Sequence, residues 1–347
     1  MMHFIRNSVA TIALVAAMPA LAQDVTITTA GGDYGDAIKK AMWEPAAAEL
    51  GFTVREETQS DSFAALKMQV TSGAVTTDVI HLGSPEGAQA ADQGLLEPLD
   101  YSIIDPKSLP PGAESKYCYP FSSYGTVMAW NTKAIGTSPP ANWAEFWNVE
   151  KYPGKRALRA NAQDLIEIAL LSEGVAPGNI YKELSAPGGL DRAIARLETL
   201  KPNVAVWWTS GAQSAQILKD GEADLVVTWN GRAESVKDDG GPADFKFQGS
   251  VIGTDCLAVP KDAANREAAM KLIAAMTKPE REAKLTDYIA YGPVNQKAYE
   301  LGLISAEKMK LLATAPGNVD GSVFSNAEWW VKNGEMAQRA FDEMMSR

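Results

Sequence analysis

Apolar and polar positions along the chain change period in a regular order. Asp24–Thr29 (DVTITT) alternates as a short strand, and from about Tyr34 to Leu50 the spacing becomes helical. Gly51–Glu56 reads as a second strand. A helix capped by Asp61 or Ser62 follows, with Phe63, Leu66 and Val70 on one face. Asp78–Leu82 (DVIHL) is a third strand, and Ser84-Pro85 opens another helix with proline in its first turn. Strands that alternate with helices predict a parallel sheet built from βαβ units.

A second set follows in the other half of the chain. Lys155–Arg159 is a strand candidate, and a helix is expected around Asp164–Ser172. Leu190, Ile194 and Leu197 mark a helical face. Val204–Trp208 reads as a strand, Ala212–Leu218 as a helix and Asp224–Trp229 as a strand. Ser250–Pro260 (SVIGTDCLAVP) reads as one long buried strand. Ala269, Leu272, Ile273 and Met276 then sit at helical spacing, and a helix closes the chain around Ala327–Met345. No low-complexity linker or repeat divides the two sets. The expected fold class is therefore α/β, with two lobes, each an open sheet flanked by helices. In such sheets ligands bind outside the carboxyl ends of the strands.

The first 22 residues are expected to be a signal peptide. Arg6 supplies a basic start, Val9–Met18 an apolar core too short to span a bilayer, and Ala20-Leu21-Ala22 a small-x-small cleavage site before Gln23. The expected location is the periplasm. Removing 22 residues from 347 leaves a chain of two-domain size.

The net charge is −11, one unit more negative once Arg6 is removed, so nucleic acid is not expected as a partner. Cys118 and Cys256 are the only cysteines, and an even count in an oxidising compartment permits a disulfide. Outside the leader His81 is the only histidine. No G-x-S-x-G elbow and no C-x-x-C occurs, so neither a metal, a cofactor nor enzymatic turnover is expected.

The candidate chemistry lies at the strand tips: Gly31-Gly32-Asp33-Tyr34, Gly83-Ser84, Trp208-Thr209-Ser210-Gly211, and Trp229-Asn230-Gly231-Arg232. A guanidinium directly after a buried strand meets a carboxylate or stays wet. For Arg232 the carboxylate is either Glu222 or Asp224, as a structural bridge, or that of a ligand. Asp255 stands inside an apolar run, where a carboxylate needs a cationic partner: Arg232, another arginine or a bound amine. By strand parity Asp255, Leu257 and Val259 share one face and Cys256 and Ala258 the other. Trp229 offers a face for stacking or cation–π contact. The three residues together describe a clamp for a zwitterion.

Several segments carry a resemblance: "AGGDYGDAIKKAMWEPAAAELG", "DVIHLGSPEGAQAADQGLLEPLD", "YGTVMAWNT", "WAEFWN", "GEADLVVTWNGRAE", "GTDCLAVPKDAANREAAMKLI" and "YGPVNQKA". In this order the chain resembles periplasmic solute-binding proteins of the spermidine/putrescine type from ABC importers. The resemblance implies a monomer that closes on a small-molecule ligand by hinge motion and passes it to a membrane ABC permease. It implies strands crossing between lobes at Tyr124–Asn131, Thr254–Pro260 and a third near Ile304–Thr314. Lobe one would hold 23–129 and 256–306, and lobe two 130–255 and 307–347. It places a ligand amine on Asp255, with Trp229, Tyr291 and Ser84 around it and Cys118 and Cys256 on adjacent hinge strands. The polyamine members carry an acidic pair where this chain has Asn161 and Asp164, and a small residue where it has Arg232. Arg232 repels a diamine and invites an acid. Relatives that take γ-aminobutyrate or opine-like amino acids are therefore the better match, with a polyamine as the alternative and an enzyme on the same architecture behind both.

Overall fold

A computed structural model describes residues 24–347 other than 108, 110–112, 114 and 316. The expected leader, 1–22, lies outside the described residues. Among the described residues ten strands form one mixed sheet: β1 (Asp24–Thr29), β2 (Thr53–Thr58), β3 (Val79–Gly83), β4 (Cys118–Asn131), β5 (Arg156–Arg159), β6 (Val204–Trp208), β7 (Leu225–Trp229), β8 (Ala243–Ala258), β9 (Gly292–Pro293) and β10 (Val323–Phe324). The order is β2-β1-β3-β8-β4-β7-β5-β6, with β9 on β4 and β10 on β8. β1 pairs in parallel with β2 and β3, and β5 in parallel with β6 and β7, as the two alternating patterns predict.

The two sets are joined by β4 and β8. They run antiparallel, from Cys118 opposite Ala258 to Asn131 opposite Ala243. One end of β8 pairs with β3, the other end of β4 with β7. Both strands pass from one half of the sheet to the other, and every residue of β4 is buried. Pro120 has no N–H to give to a ladder, and it sits where the β4–β8 register shifts. The strand expected over Ser250–Pro260 begins earlier, at Ala243.

The third crossing expected near Ile304–Thr314 is not a strand. That stretch holds the short helix Ala306–Met309 and turns. Its carbonyls are taken by side chains: Asn318 Nδ2 donates to Lys310 O and Leu312 O, and Asn230 Nδ2 to Leu311 O at 3.0 Å. No ladder partner is then needed.

The first helical stretch, 32–50, contains a π turn over Lys39–Trp43. Pro45 follows it and lacks the N–H that would continue the i to i−4 ladder. Asp61, of the two candidates, caps the next helix by accepting from Ala64 N at 2.9 Å. Each half has its own apolar core. One gathers Ile27, Val79, Leu257, Leu272 and Met276, the other Leu158, Ile168, Leu197, Trp329 and Phe341. Cys256 and Ala258 pack with Ile80 and Leu82, on the face opposite Leu257 and Val259, as strand parity requires.

A disulfide joins Cys118 and Cys256, with Cα atoms 5.4 Å apart. The helix Ser84–Asp92 lies over it. A Cβ at Gly87 would stand 2.8 Å from both sulfurs, so only glycine lets the helix come this close. The bridge closes a sequence separation of 138 residues. Replacing both cysteines with serine should destabilise the protein by about 2–5 kcal/mol. Thermal unfolding checks this; a melting temperature equal to wild type would show that the bridge carries no stability.

Candidate ligand-binding cleft

The carboxyl ends of β1, β3, β5 and β7 converge on a cleft of about 840 Å³. Tyr34, His81 and Gly83 line it from one half, Arg159, Thr209, Trp229 and Arg232 from the other, and Asp255 and Tyr124 from the long strands between. Tyr291, just before β9, completes the inner wall.

Asp255 is only 6% exposed, and its acid is held on several sides. Oδ2 accepts from Tyr34 OH at 2.6 Å and Ser122 Oγ at 3.3 Å. His81 Nε2 lies 3.5 Å from Oδ1. Burial and the Asp255 carboxylate push the Tyr34 hydroxyl well above the usual tyrosine range, so Tyr34 remains a donor to the acid. Ser122 Oγ is engaged by Tyr34 OH at 2.5 Å and by Asp255, and neither nitrogen of His81 has a hydrogen-bond partner among the described residues.

Arg232 is 1% exposed and stands in the first turn of the helix Asn230–Asp238. Its Nη2 reaches Gly31 O at 3.5 Å, while Nε and Nη1 are buried without a hydrogen-bond partner. The structural bridges open to it in sequence are not formed. Glu222 is exposed, and Asp224 Oδ2 accepts from Lys155 N at 2.7 Å. The guanidinium stands 5.9 Å from the Tyr34 ring centre. Burial raises the Tyr291 hydroxyl above its ordinary range, and nearby Arg232 acts in the opposite direction. Two glycines seat the arginine: a Cβ at Gly211 would meet Nε at 2.6 Å, and one at Gly32 would meet Nη1 at 3.3 Å.

Trp229 stands beside Arg232, its ring edge-on to Tyr124 at 5.9 Å and to Trp208 at 5.2 Å. Trp229, Arg232, Asp255, Tyr34, Tyr291 and Asn161 all reach the cleft. Three other expected residues lie behind it. Trp208 is buried under Trp229 and donates Nε1 to Val227 O at 3.0 Å. Ser84 Oγ pairs with Thr254 Oγ1 at 2.7 Å across β8. Asp164 accepts from Thr126 Oγ1 at 2.6 Å. Burial pushes its carboxyl up, while that bond and Arg159 work in the other direction.

The sequence reading misses Arg159, Glu86 and Tyr124. Arg159 ends β5 and lies over the Trp229 ring at 5.3 Å. Its Nη2 is 3.9 Å from Glu86 Oε1, across the cleft. Glu86 accepts from Gly83 N at 3.2 Å, and burial drives its carboxyl upward against the pull of Arg159. The rule that singled out Trp229, a side chain at the carboxyl end of a strand, applies equally to Arg159. The C-terminal helix Ala327–Ser346 adds Trp330 and Gln338 to the outer wall, for which no local signal exists.

A family model described as bacterial extracellular solute-binding protein matches residues 40–310. The chain belongs to this family. It is 34% identical over 345 residues to the γ-aminobutyric acid-binding protein of Pseudomonas aeruginosa, covering 99% of this chain and 97% of that one. It is 29% identical over 253 residues to the spermidine/putrescine-binding periplasmic protein of Escherichia coli, covering 70% and 67%. Among solved structures it resembles the periplasmic binding protein MotA from A. tumefaciens B6 in complex with glucopine. The TM-score there is 0.90 at 39% identity, over 93% of this chain and 99% of that one. The solute-binding fold is two-lobed, and here β4 and β8 join the lobes while the cleft lies between them. Among the described residues no helix is long and apolar enough to cross a membrane.

Proposed function

We propose that this solute-binding protein captures a small zwitterion, an ω-amino acid or opine-like amino acid, and delivers it to an ABC permease. The observation that carries the reading is Arg232. A guanidinium that is fully buried, with two nitrogens lacking acceptors and a place in the cleft wall, calls for a carboxylate. Asp255 supplies the opposite charge for the amine, and Tyr34 touches both groups. Trp229 packs on the chain between. The names of relatives that bind γ-aminobutyrate and glucopine support an amino-acid ligand. Polyamine-binding relatives favour a second reading through Asp255 and Trp229 alone, but Arg232 opposes it.

In this reading the protein works without turnover, as a monomer exported by the leader 1–22 to the periplasm. The lobes comprise 23–129 with 256–306, and 130–255 with 307–347, and they close on the ligand. A thermal-shift screen of γ-aminobutyrate, opine-type amino acids, putrescine and spermidine tests the ligand class. At 100 times Kd a ligand adds about 2.7 kcal/mol of stability. Shifts from the polyamines and none from the amino acids would overturn the reading. An unchanged scattering radius with a stabilising ligand present would remove lobe closure.

A further inference from the structure

We infer that the ligand's amine enters the cleft in exchange for a proton, which His81 holds before the ligand arrives and gives up when the amine reaches Asp255. The inference rests on the assignment of Asp255 to a ligand ammonium group, which the amino-acid and polyamine readings share.

Sheet register brings the two residues together. β3 and β8 run antiparallel, with His81 opposite Leu257 and Gly83 opposite Asp255, so His81 and Asp255 are diagonal neighbours. His81 is buried, and both of its ring nitrogens lack a hydrogen-bond partner among the described residues. That is unusual, because even a neutral imidazole carries one donor and one acceptor to satisfy. Nε2 lies 3.5 Å from Asp255 Oδ1. The other carboxylate oxygen, Oδ2, is taken by the neutral hydroxyls of Tyr34 and Ser122. Among the described residues no other basic group forms an ion pair with Asp255.

The remaining neighbours of the ring bring no charge into contact with it. Tyr34 meets it edge-on at 5.3 Å, and Phe121 of β4 does so at 5.8 Å. Glu86, from the helix after β3, lines the same cleft and favours a cation there. Arg159 at the end of β5 and Arg232 in the helix after β7 disfavour one. Of these charged groups only Asp255 lies within reach of an imidazole nitrogen. A protonated His81 therefore balances Asp255 while no amine is bound. An ammonium group at Oδ1 would set two cations on one carboxylate. The imidazole proton leaves to water as the ammonium arrives, so the site holds one carboxylate and one cation before and after. The neutral ring then offers the ammonium a lone pair, which gives a buried nitrogen its partner.

Titration calorimetry with γ-aminobutyrate and with putrescine tests this. Each is run in buffers of different ionisation enthalpy and across about pH 5.5–8.5, where histidines exchange protons and amines stay charged. An amine that binds should release up to one proton at acid pH and none at alkaline pH. Its affinity should rise with pH by up to about tenfold per unit and then level off. His81→Gln can still donate to Oδ1 but carries no charge, so the release should vanish. The ratio of variant to wild-type affinity should then grow about tenfold from pH 8.5 to pH 5.5. Glu86 and Asp164, whose carboxyls burial pushes upward, remain in that variant. A slope that persists there belongs to them and overturns the inference, as does wild-type binding without proton release. The wild-type buffer comparison decides the matter if the variant fails to fold. Asp255→Ala keeps the two readings apart. If it abolishes binding while the wild type releases no proton, only the exchange is wrong. If it retains wild-type affinity, or if neither amine binds the wild type, the amine assignment beneath it has failed.

Discussion

Arg232→Ala should lower affinity for an amino-acid ligand by well over tenfold, and Asp255→Ala should do the same. Both groups are buried, at 1% and 6% exposure, so neither is screened as a surface charge would be. Removing one partner of a desolvated charge pair costs about 2–5 kcal/mol, part of it from the ligand charge left behind. At about 1.4 kcal/mol per decade, even the lower figure exceeds tenfold. Arg232 is fully buried, with one long bond to Gly31 O and its guanidinium near Tyr34 and Tyr291, so Arg232→Ala also loses packing and thermal unfolding of the variant is measured beside its affinity. The polyamine reading gives the opposite sign. There Arg232→Ala leaves binding unchanged or tighter by removing repulsion, while Asp255→Ala still abolishes it. Calorimetry on the two variants separates the readings. Wild-type affinity in Arg232→Ala would end the carboxylate assignment.

Much of this arrangement is legible in the chain because charge in an apolar context is rare. Asp255 stands out within V-I-G-T-D-C-L-A-V, and Arg232 stands out after V-V-T-W-N-G. The alternation of periods predicts both parallel half-sheets. What stays hidden depends on which way a side chain turns. Trp208 and Trp229 both end strands of one lobe, yet one is buried behind the other. Ser84 begins a helix at the cleft but turns to Thr254. Arg159 ends a strand of only four residues, Arg156–Arg159, where a terminal arginine looks like solvent-facing punctuation. Trp330 and Gln338 come from the last helix, and only tertiary packing brings them to the wall. The irregular stretch near Ile304–Thr314 is set by the nearby Asn318 and the distant Asn230, whose amides capture its carbonyls.

Glu167→Gln should stabilise the protein at alkaline pH, by an amount that grows between about pH 4.5 and 8. Glu167 lies fully buried in the helix Leu165–Ser172. Its Oε1 accepts from Tyr181 OH at 2.8 Å and Trp330 Nε1 at 3.0 Å, while Oε2 has no partner. Burial, reinforced by Asp164, pushes its pKa from 4.5 up to about 8. A carboxyl raised on folding binds its proton more tightly in the native state than in the unfolded chain. Its contribution is therefore fully favourable below the unfolded pKa and is lost as pH rises through the folded one. Glutamine keeps an acceptor for Tyr181 and Trp330 and carries no charge at any pH. Each pKa unit corresponds to about 1.4 kcal/mol, so across this window the variant should gain several kcal/mol relative to wild type. The amide N–H placed at the unpartnered oxygen costs about 1–3 kcal/mol at every pH, so it offsets the curve without changing its slope. Denaturant unfolding of both proteins at pH 5, 7 and 9 measures the difference. A difference independent of pH would mean that Glu167 ionises in the folded protein much as it does in water.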